Sequence, residues 1–329
     1  MTDNTDSNTK QQTQGDGQGP EWQQEVINRL VFASLNEQRK ARRWGIFFKS
    51  LTFAYLFFIL ILLLLPGDGG FAPAVAGKHT ALVDVRGIIA ADAEASADRI
   101  ISGLRAAFEN RNSVGVIIRI NSPGGSPVQA GYINDEMRRL REEYPDKPLY
   151  AVITDLGASG AYYIAVGAEK IYVDKASLVG SIGVISSSFG FVEAMKKLGI
   201  ERRLYTAGRN KAFLDPFSPE KPEEVAHFQS VLNNTHAQFI RVVREGRGDR
   251  LKGKDEEIFS GLFWSGEQSV EMGLADGMGS SSYIARTIFG EEDIVDYTPP
   301  VSFFDQFAEK IGAGATRMLL QYTGALHLR

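Results

Sequence analysis

The chain of 329 residues contains no cysteine. That removes disulfides, thiol catalysis and cysteine-based metal sites together. It leaves the compartment open, because a cysteine-free chain tolerates oxidising and reducing surroundings alike. Histidine is scarce: His79, His227, His236 and His327 are scattered, without the H-E-x-x-H spacing, so a zinc site is not expected. No histidine lies between His79 and His227, so the central stretch of the chain is expected to do histidine-free chemistry. The part that should fold lacks a long basic block, and the net charge is only -4, so nucleic acid is not an expected partner. With 43% hydrophobic and 23% charged residues the composition is that of an ordinary globular protein, long enough for one large domain or two modest ones plus appendages.

What is present is one long apolar run. Residues 50–65 carry no charge. Extended back through Trp44-Gly45-Ile46-Phe47-Phe48, the run reaches the roughly 20 residues needed to cross hydrocarbon. Lys49 lies near its end, where a long side chain can reach the headgroups. Apolarity on every face favours a membrane span over a buried core helix. The late start, and a following Pro66-Gly67-Asp68-Gly69-Gly70 without a small-x-small pattern, argue against a cleaved signal peptide. Arg39-Lys40-Ala41-Arg42-Arg43 precedes the run, and no Lys or Arg follows it until Lys78. The positive-inside rule then puts the N-terminus in the cytosol and the remainder outside, which in a bacterium means a single-pass protein of the inner (plasma) membrane facing the periplasm or cell exterior.

Five regions follow. Residues 1–43 comprise a polar tail, expected to be disordered over 1–20, and an amphipathic helix over 21–43, which could rest on the bilayer or pack against neighbouring copies. Residues 44–66 are the anchor and 67–78 a Gly/Ala/Pro linker. Residues 79–290 alternate strands and helices. Residues 291–329 form an extension with an amphipathic helix over 301–322, whose use is open. Within 79–290, strands are predicted at 81–85, 114–120, 149–153, 170–173 and 182–185, and helices at 94–109, 126–143, from Ser159 through Ala165, at 219–246 and at 265–273. Repeated βα units of this length predict an α/β fold with a mostly parallel sheet and right-handed crossovers. The near-continuous apolar strands fit a sheet covered on both faces.

Two loops fall at predicted strand ends and lead into helices: Asn121-Ser122-Pro123-Gly124-Gly125-Ser126, and Asp155 to Gly160 with Ser159. Strand ends are where open α/β sheets bind ligands. A serine at a helix start meets free N–H groups that favour an anion, as a tetrahedral acyl-transfer intermediate requires. Gly160 and the Gly124-Gly125 pair are natural N–H donors. A serine hydroxyl needs a base, and a desolvated lysine can serve. Lys211, 52 positions on, lies in an apolar-leaning stretch, Ala212-Phe213-Leu214. Ser181, in Gly180-Ser181-Ile182-Gly183, could orient the amine or be purely structural. Each of these features alone is also an ordinary turn or surface residue.

Together they resemble the signal peptide peptidase family, also called protease IV or peptidase family S49. The matching runs are Asn121 to Ser126, Ala158 to Ala165, Val179 to Val184, Gly208 to Phe213 with Asp215-Pro216-Phe217, and Trp264 to Gln268 with Gly273 to Asp276. The likeness covers about residues 79–290. It implies a crotonase-like, ClpP-like βα superhelix; Ser159 as nucleophile, Lys211 as general base and Gly125 and Gly160 as the oxyanion neighbourhood; cleavage of remnant signal peptides and other hydrophobic segments; and no metal or nucleotide cofactor. A second copy of the Ser or Lys motif is not seen, so the short, single-repeat form is expected. Short members form homo-oligomeric rings in which neighbours complete the site, with an octamer as one expected size. The alternatives on the same fold are a crotonase-type acyl-thioester enzyme and a non-catalytic membrane scaffold.

Overall fold

The computed structural model describes residues 20–64 and 77–300, which fall into two units divided at Gly69/Gly70. The expected disordered tail before residue 20, most of the 67–78 linker and the 301–322 helix lie outside the described residues.

In the first unit a single helix, α1 (Pro20–Leu64), joins the predicted amphipathic helix and the apolar run without a break. Its stretch Glu37–Ile61 is long and apolar enough to cross a membrane. At 1.5 Å per residue, 25 residues extend for roughly 37 Å, against a hydrocarbon thickness of about 30 Å. Phe53 and Phe57 are 76% and 62% exposed, so this surface is not covered by the fold as a core helix would be.

The second unit is an eight-stranded sheet flanked by helices. Its strands are β1 (His79–Arg86), β2 (Ser113–Ser122), β3 (Leu149–Ala158), β4 (Lys170–Val173), β5 (Leu178–Gly180), β6 (Phe263–Ser265), β7 (Gly277–Met278) and β8 (Ile294–Asp296). The order is β6-β5-β3-β2-β1-β8, with β4 between β3 and β7. Every pairing is parallel except β5 with β6. The helices are α2 (Ala97–Glu109), α3 (Pro127–Glu143), α4 (Gly160–Ala165), α5 (Val192–Leu198), α6 (Pro222–Arg247), α7 (Asp255–Ile258), α8 (Gly266–Glu271) and α9 (Ser281–Tyr283). The expected α/β class with a mostly parallel sheet is thus what the chain adopts.

Local chemistry sets the boundaries. Ser126 caps α3, its hydroxyl accepting from the Gln129 N–H, with Pro127 in the first turn, where its missing N–H costs nothing. Ser265 and Gln268 form a capping box that starts α8. Strands β1, β2 and β3 are buried on both faces, so their side chains build the core with Ile100, Leu104 and Phe108 of α2 and Ile133 and Met137 of α3. Each such fully buried side chain contributes about 1.5–3 kcal/mol.

Two differences from expectation bear on the site. Strand β3 runs on to Ala158 rather than ending at Ile153. Its outer neighbour changes from β4 (at residues 150–153) to β5 (at 156–158), so the strand resumes pairing after the polar Thr154-Asp155 step. Residues 182–185 are not a strand. Ser181 turns at φ 52°, directing the chain out of the sheet, where no neighbouring strand takes up its backbone groups.

Candidate active site

Ser159 sits at the junction of β3 and α4 with φ 53° and ψ -124°, a conformation that serine adopts at a cost of roughly 1–3 kcal/mol. Surroundings hold it there. Its N–H donates to the Gly180 carbonyl at 2.8 Å, and the pairing of Ala158 with Gly180 sets Ser159 beside Ser181. A reactive serine on a sharp strand-to-helix turn has its hydroxyl presented to solvent rather than packed under the sheet.

The glycine turn abuts this junction. A methyl added to Gly160 would lie 3.2 Å from the Gly125 nitrogen and 3.6 Å from the Gly124 Cα, so the two backbones meet with no room for side chains. Gly125 has φ 151°, and a side chain there would collide with the Ile89 carbonyl. The collision is built in, since Ile89 pairs with this turn: its N–H donates to the Gly124 carbonyl (2.9 Å) and its own carbonyl accepts from the Ser126 N–H (2.8 Å). Those bonds leave the Gly125 N–H over, and the Gly160 N–H belongs to the first turn of α4, where helices leave donors free. Among the described residues neither N–H has a hydrogen-bond partner. Two unspent donors beside a hydroxyl can bind a developing oxyanion.

Two cavities flank Ser159 and share the wall Gly183-Val184-Ile185. The smaller, about 140 Å³, has mainly apolar and aromatic walls, including Pro127, Tyr163, Val184 and Phe239, with Thr235 and Gln238 adding polar groups. The rings of Tyr163 and Phe239 are 5.1 Å apart, which stiffens that wall. The other, about 370 Å³, is polar, with Ser181, Gln229, Asn233 and His236 on its walls. A larger cavity, about 550 Å³, opens beside Arg119 and Asp155 instead. There the Arg119 guanidinium is spent in a bidentate pair with Asp84 (2.5 and 2.6 Å), and Asp155 accepts from Asn121.

The structure therefore brings Ser159, Gly160, Gly125 and Ser181 to one place. Lys211 is elsewhere on the single chain. It is exposed, in a turn closed by its N–H to the Gly208 carbonyl (3.2 Å), and it lines neither cavity at Ser159. That turn is itself well built. The Leu214 N–H donates to Glu224 of α6 at 3.0 Å. Asp215 accepts from Arg202 and, at 2.7 Å, from the Ser218 hydroxyl, and these partners hold its carboxyl down at about 2.

His236 was not anticipated. Helix α6 returns this residue, 77 positions after Ser159, to the wall of the serine's polar cavity. Its sequence signal was weak: a place four residues after Leu232 and three before Phe239, on the inward stripe of an amphipathic helix.

A strained serine at a strand-to-helix junction of an α/β sheet, flanked by free glycine N–H groups, is an arrangement that acyl-transfer enzymes use. Residues 141–292 match the model of peptidase family S49, a stretch that includes Ser159, Gly160, Ser181 and Lys211 but not Gly125. Three relatives agree in part. A Brucella abortus protein named Na(+)/H(+) antiporter NhaA is 44% identical over 189 residues, 57% of this chain and 25% of that protein. An Enterococcus faecium protein whose name refers to signal peptide peptidase SppA is 29% identical over 231 residues, 68% of this chain and 66% of that one. The chloroplastic serine protease SPPA of Arabidopsis thaliana is 30% identical over 187 residues, 56% and 27%. The chain thus spans about a quarter of the Brucella and Arabidopsis proteins and 66% of the Enterococcus one. Over residues 141–292 the chain is similar to peptidase family S49.

Proposed function

We propose that the protein is a membrane-anchored serine endopeptidase that cleaves remnant signal peptides and other hydrophobic segments with a Ser159–Lys211 dyad. The observation that carries this is the strained Ser159 turn with the unpartnered Gly125 and Gly160 N–H groups beside it. The Ser159 hydroxyl attacks the scissile carbonyl carbon while its proton passes to a neutral lysine amine. The carbonyl oxygen, now an anion, is held by the Gly125 and Gly160 N–H groups. Collapse breaks the C–N bond, the lysine returns the proton to the leaving amine, and water hydrolyses the acyl-enzyme by the same route. The small apolar cavity beside Ser159 receives the substrate side chain, and its roughly 140 Å³ favours small to medium apolar residues.

An ammonium in bulk water cannot act as a base near neutral pH, so the exposed Lys211 needs burial from outside its own chain. We assign that burial to a neighbouring copy in a ring on the crotonase-like fold, with the incoming amine entering the polar cavity beside Ser181. The arm that bears Lys211 supports this. Ile185, Phe189, Leu198 and Tyr205 are 90%, 79%, 73% and 89% exposed, and α5 buries no side chain, which is costly for a soluble surface and ordinary for an interface. The anchor and the positive-inside rule assign the catalytic domain to the extracytosolic side of a bacterial inner membrane. The test is cleavage of an apolar peptide by the detergent-solubilised protein. Ser159→Ala and Lys211→Met are expected to abolish it without altering folding, and turnover by Ser159→Ala at the wild-type rate sinks the reading.

A further inference from the structure

The Nε2 atom of His236 lies 3.0 Å from the carbonyl oxygen of Ile182. A carbonyl oxygen offers only lone pairs, so Nε2 carries the hydrogen and donates it. Ile182 is buried in the middle of a turn that the backbone ties at three points. The Gly180 carbonyl accepts from the Ser159 N–H (2.8 Å), the Ser181 N–H donates to the Leu262 carbonyl (2.7 Å), and the Gly183 N–H donates to the Ser181 carbonyl (2.9 Å). The His236 bond is the fourth tie, and it comes from α6. Ser181 at φ 52° is strained, so this turn persists only because its surroundings over-determine it.

We propose that His236 is a positioning residue for Ser159: through Ile182 it fixes the 180–183 turn, which holds the Ser159 amide and aims the Ser181 hydroxyl into the polar cavity. The proposal rests on Ser159 being the nucleophile. It differs from a role as base, because a base must present a lone pair to the serine, whereas this nitrogen's proton is committed to a carbonyl. The bond needs only an N–H on Nε2, which a side-chain amide can also supply. The other groups facing this cavity carry no charge near neutral pH: Gln229, Leu232 and Asn233 of α6, Ser181 and Val184 of the turn, and Ser260 and Gly261 before β6.

The experiment uses the full-length protein in detergent and compares wild type with His236→Leu and His236→Gln. The readouts are the rate of Ser159 modification by a fluorophosphonate, kcat and KM for an apolar peptide, and Tm. Leucine at 236 should slow modification and kcat by about 10–100-fold with KM within about twofold. Glutamine can donate an N–H but cannot take up a proton. It should restore both rates to within about threefold, with the wild-type pH profile. A leucine variant at the wild-type rate, or a glutamine variant as slow as leucine, overturns the proposal. If the leucine variant does not assemble, the ¹⁵N histidine spectrum of the wild-type protein decides: at pH 8 the His236 proton must be on Nε2, and a proton on Nδ1 overturns the bond. Wild-type protein that fails to label at Ser159 instead removes the peptidase reading, while the tautomer spectrum still tests the tie to Ile182.

Discussion

A methyl group on Gly124 would lie 2.6 Å from the Gly160 nitrogen, 2.7 Å from the Ala158 carbonyl oxygen and 2.9 Å from the Ser159 Cβ, with the backbone at φ 96°. All three atoms belong to the Ser159 turn, and two are backbone, so none can swing aside. Gly124→Ala should therefore push the glycine turn off the serine and cut the rate of Ser159 labelling by at least about 100-fold, the range for losing one oxyanion donor. Substituting the serine itself separates chemistry from stability. Its turn conformation costs serine roughly 1–3 kcal/mol and glycine far less. Ser159→Gly should be inactive yet raise Tm by about 2–4 °C, as relief of roughly 1 kcal/mol does in a domain of this size. A Tm drop of that size would mean the hydroxyl contributes more to the fold than the strained backbone costs it.

At the scale of elements, the lysine-bearing turn is pinned at its far end by Asp215. Arg202 and Ser218 pull that carboxyl from its ordinary 3.8 to about 2. A depressed carboxyl stabilises the fold above its unfolded pKa, and the contribution is lost as pH falls through the folded value. The turn should loosen between about pH 4 and pH 2, which proteolysis of the 200–218 stretch at stepped pH would register. Asp215→Asn should flatten that dependence and lower kcat about tenfold at neutral pH by releasing Lys211 from its set geometry. Helix α6, which carries His236 and Phe239, depends on Arg247. This residue is 1% exposed, bonds the Gly273 carbonyl at 2.8 Å and pairs with Asp276 at 2.6 Å. Arg247→Met should cost about 3 kcal/mol in urea unfolding, because it leaves a mostly buried carboxylate with only the Ile171 N–H at 2.8 Å and the Arg250 contact at 3.2 Å.

The same elements show what could be read from sequence. Strand Lys170–Val173 was legible to the residue, because an apolar run bounded by a turn carries its own signal. Ile182–Ile185 carries the same signal and is not a strand, since pairing needs a neighbour and the turn at Ser181 leaves none. Helix α6 starts at Pro222, three residues after the predicted start, with Pro222 in the first turn, where its missing N–H costs nothing. The serine turn and its glycines were legible as motifs, since their function depends on local backbone shape. His236 was not, because its partner is a backbone carbonyl 54 positions away, and a carbonyl has no sequence signature.

For the whole molecule, the separation of Lys211 from Ser159 on one chain becomes a prediction about assembly. If each serine takes its base from the adjacent copy, two inactive variants can complement each other. A Lys211→Met subunit keeps its serine and needs a neighbour's lysine, which a Ser159→Ala subunit retains. Dissociating the two variants, mixing them equally and reassembling should place an intact serine and an intact lysine at a shared interface in about a quarter of the sites, since each must come from the right kind of subunit. Activity should therefore rise from none to about a quarter of wild type, and it should scale with the product of the two fractions as the mixing ratio is varied. Within one subunit no mixing ratio can join the two intact groups, so a mixture as inactive as its components would put the base on the serine's own chain. The exposed apolar arm then separates poor assembly from wrong assignment. Phe189→Ser together with Tyr205→Ser should reduce both the assembled fraction and the restored activity in proportion, whereas an arm that merely covers its own domain would leave both unchanged.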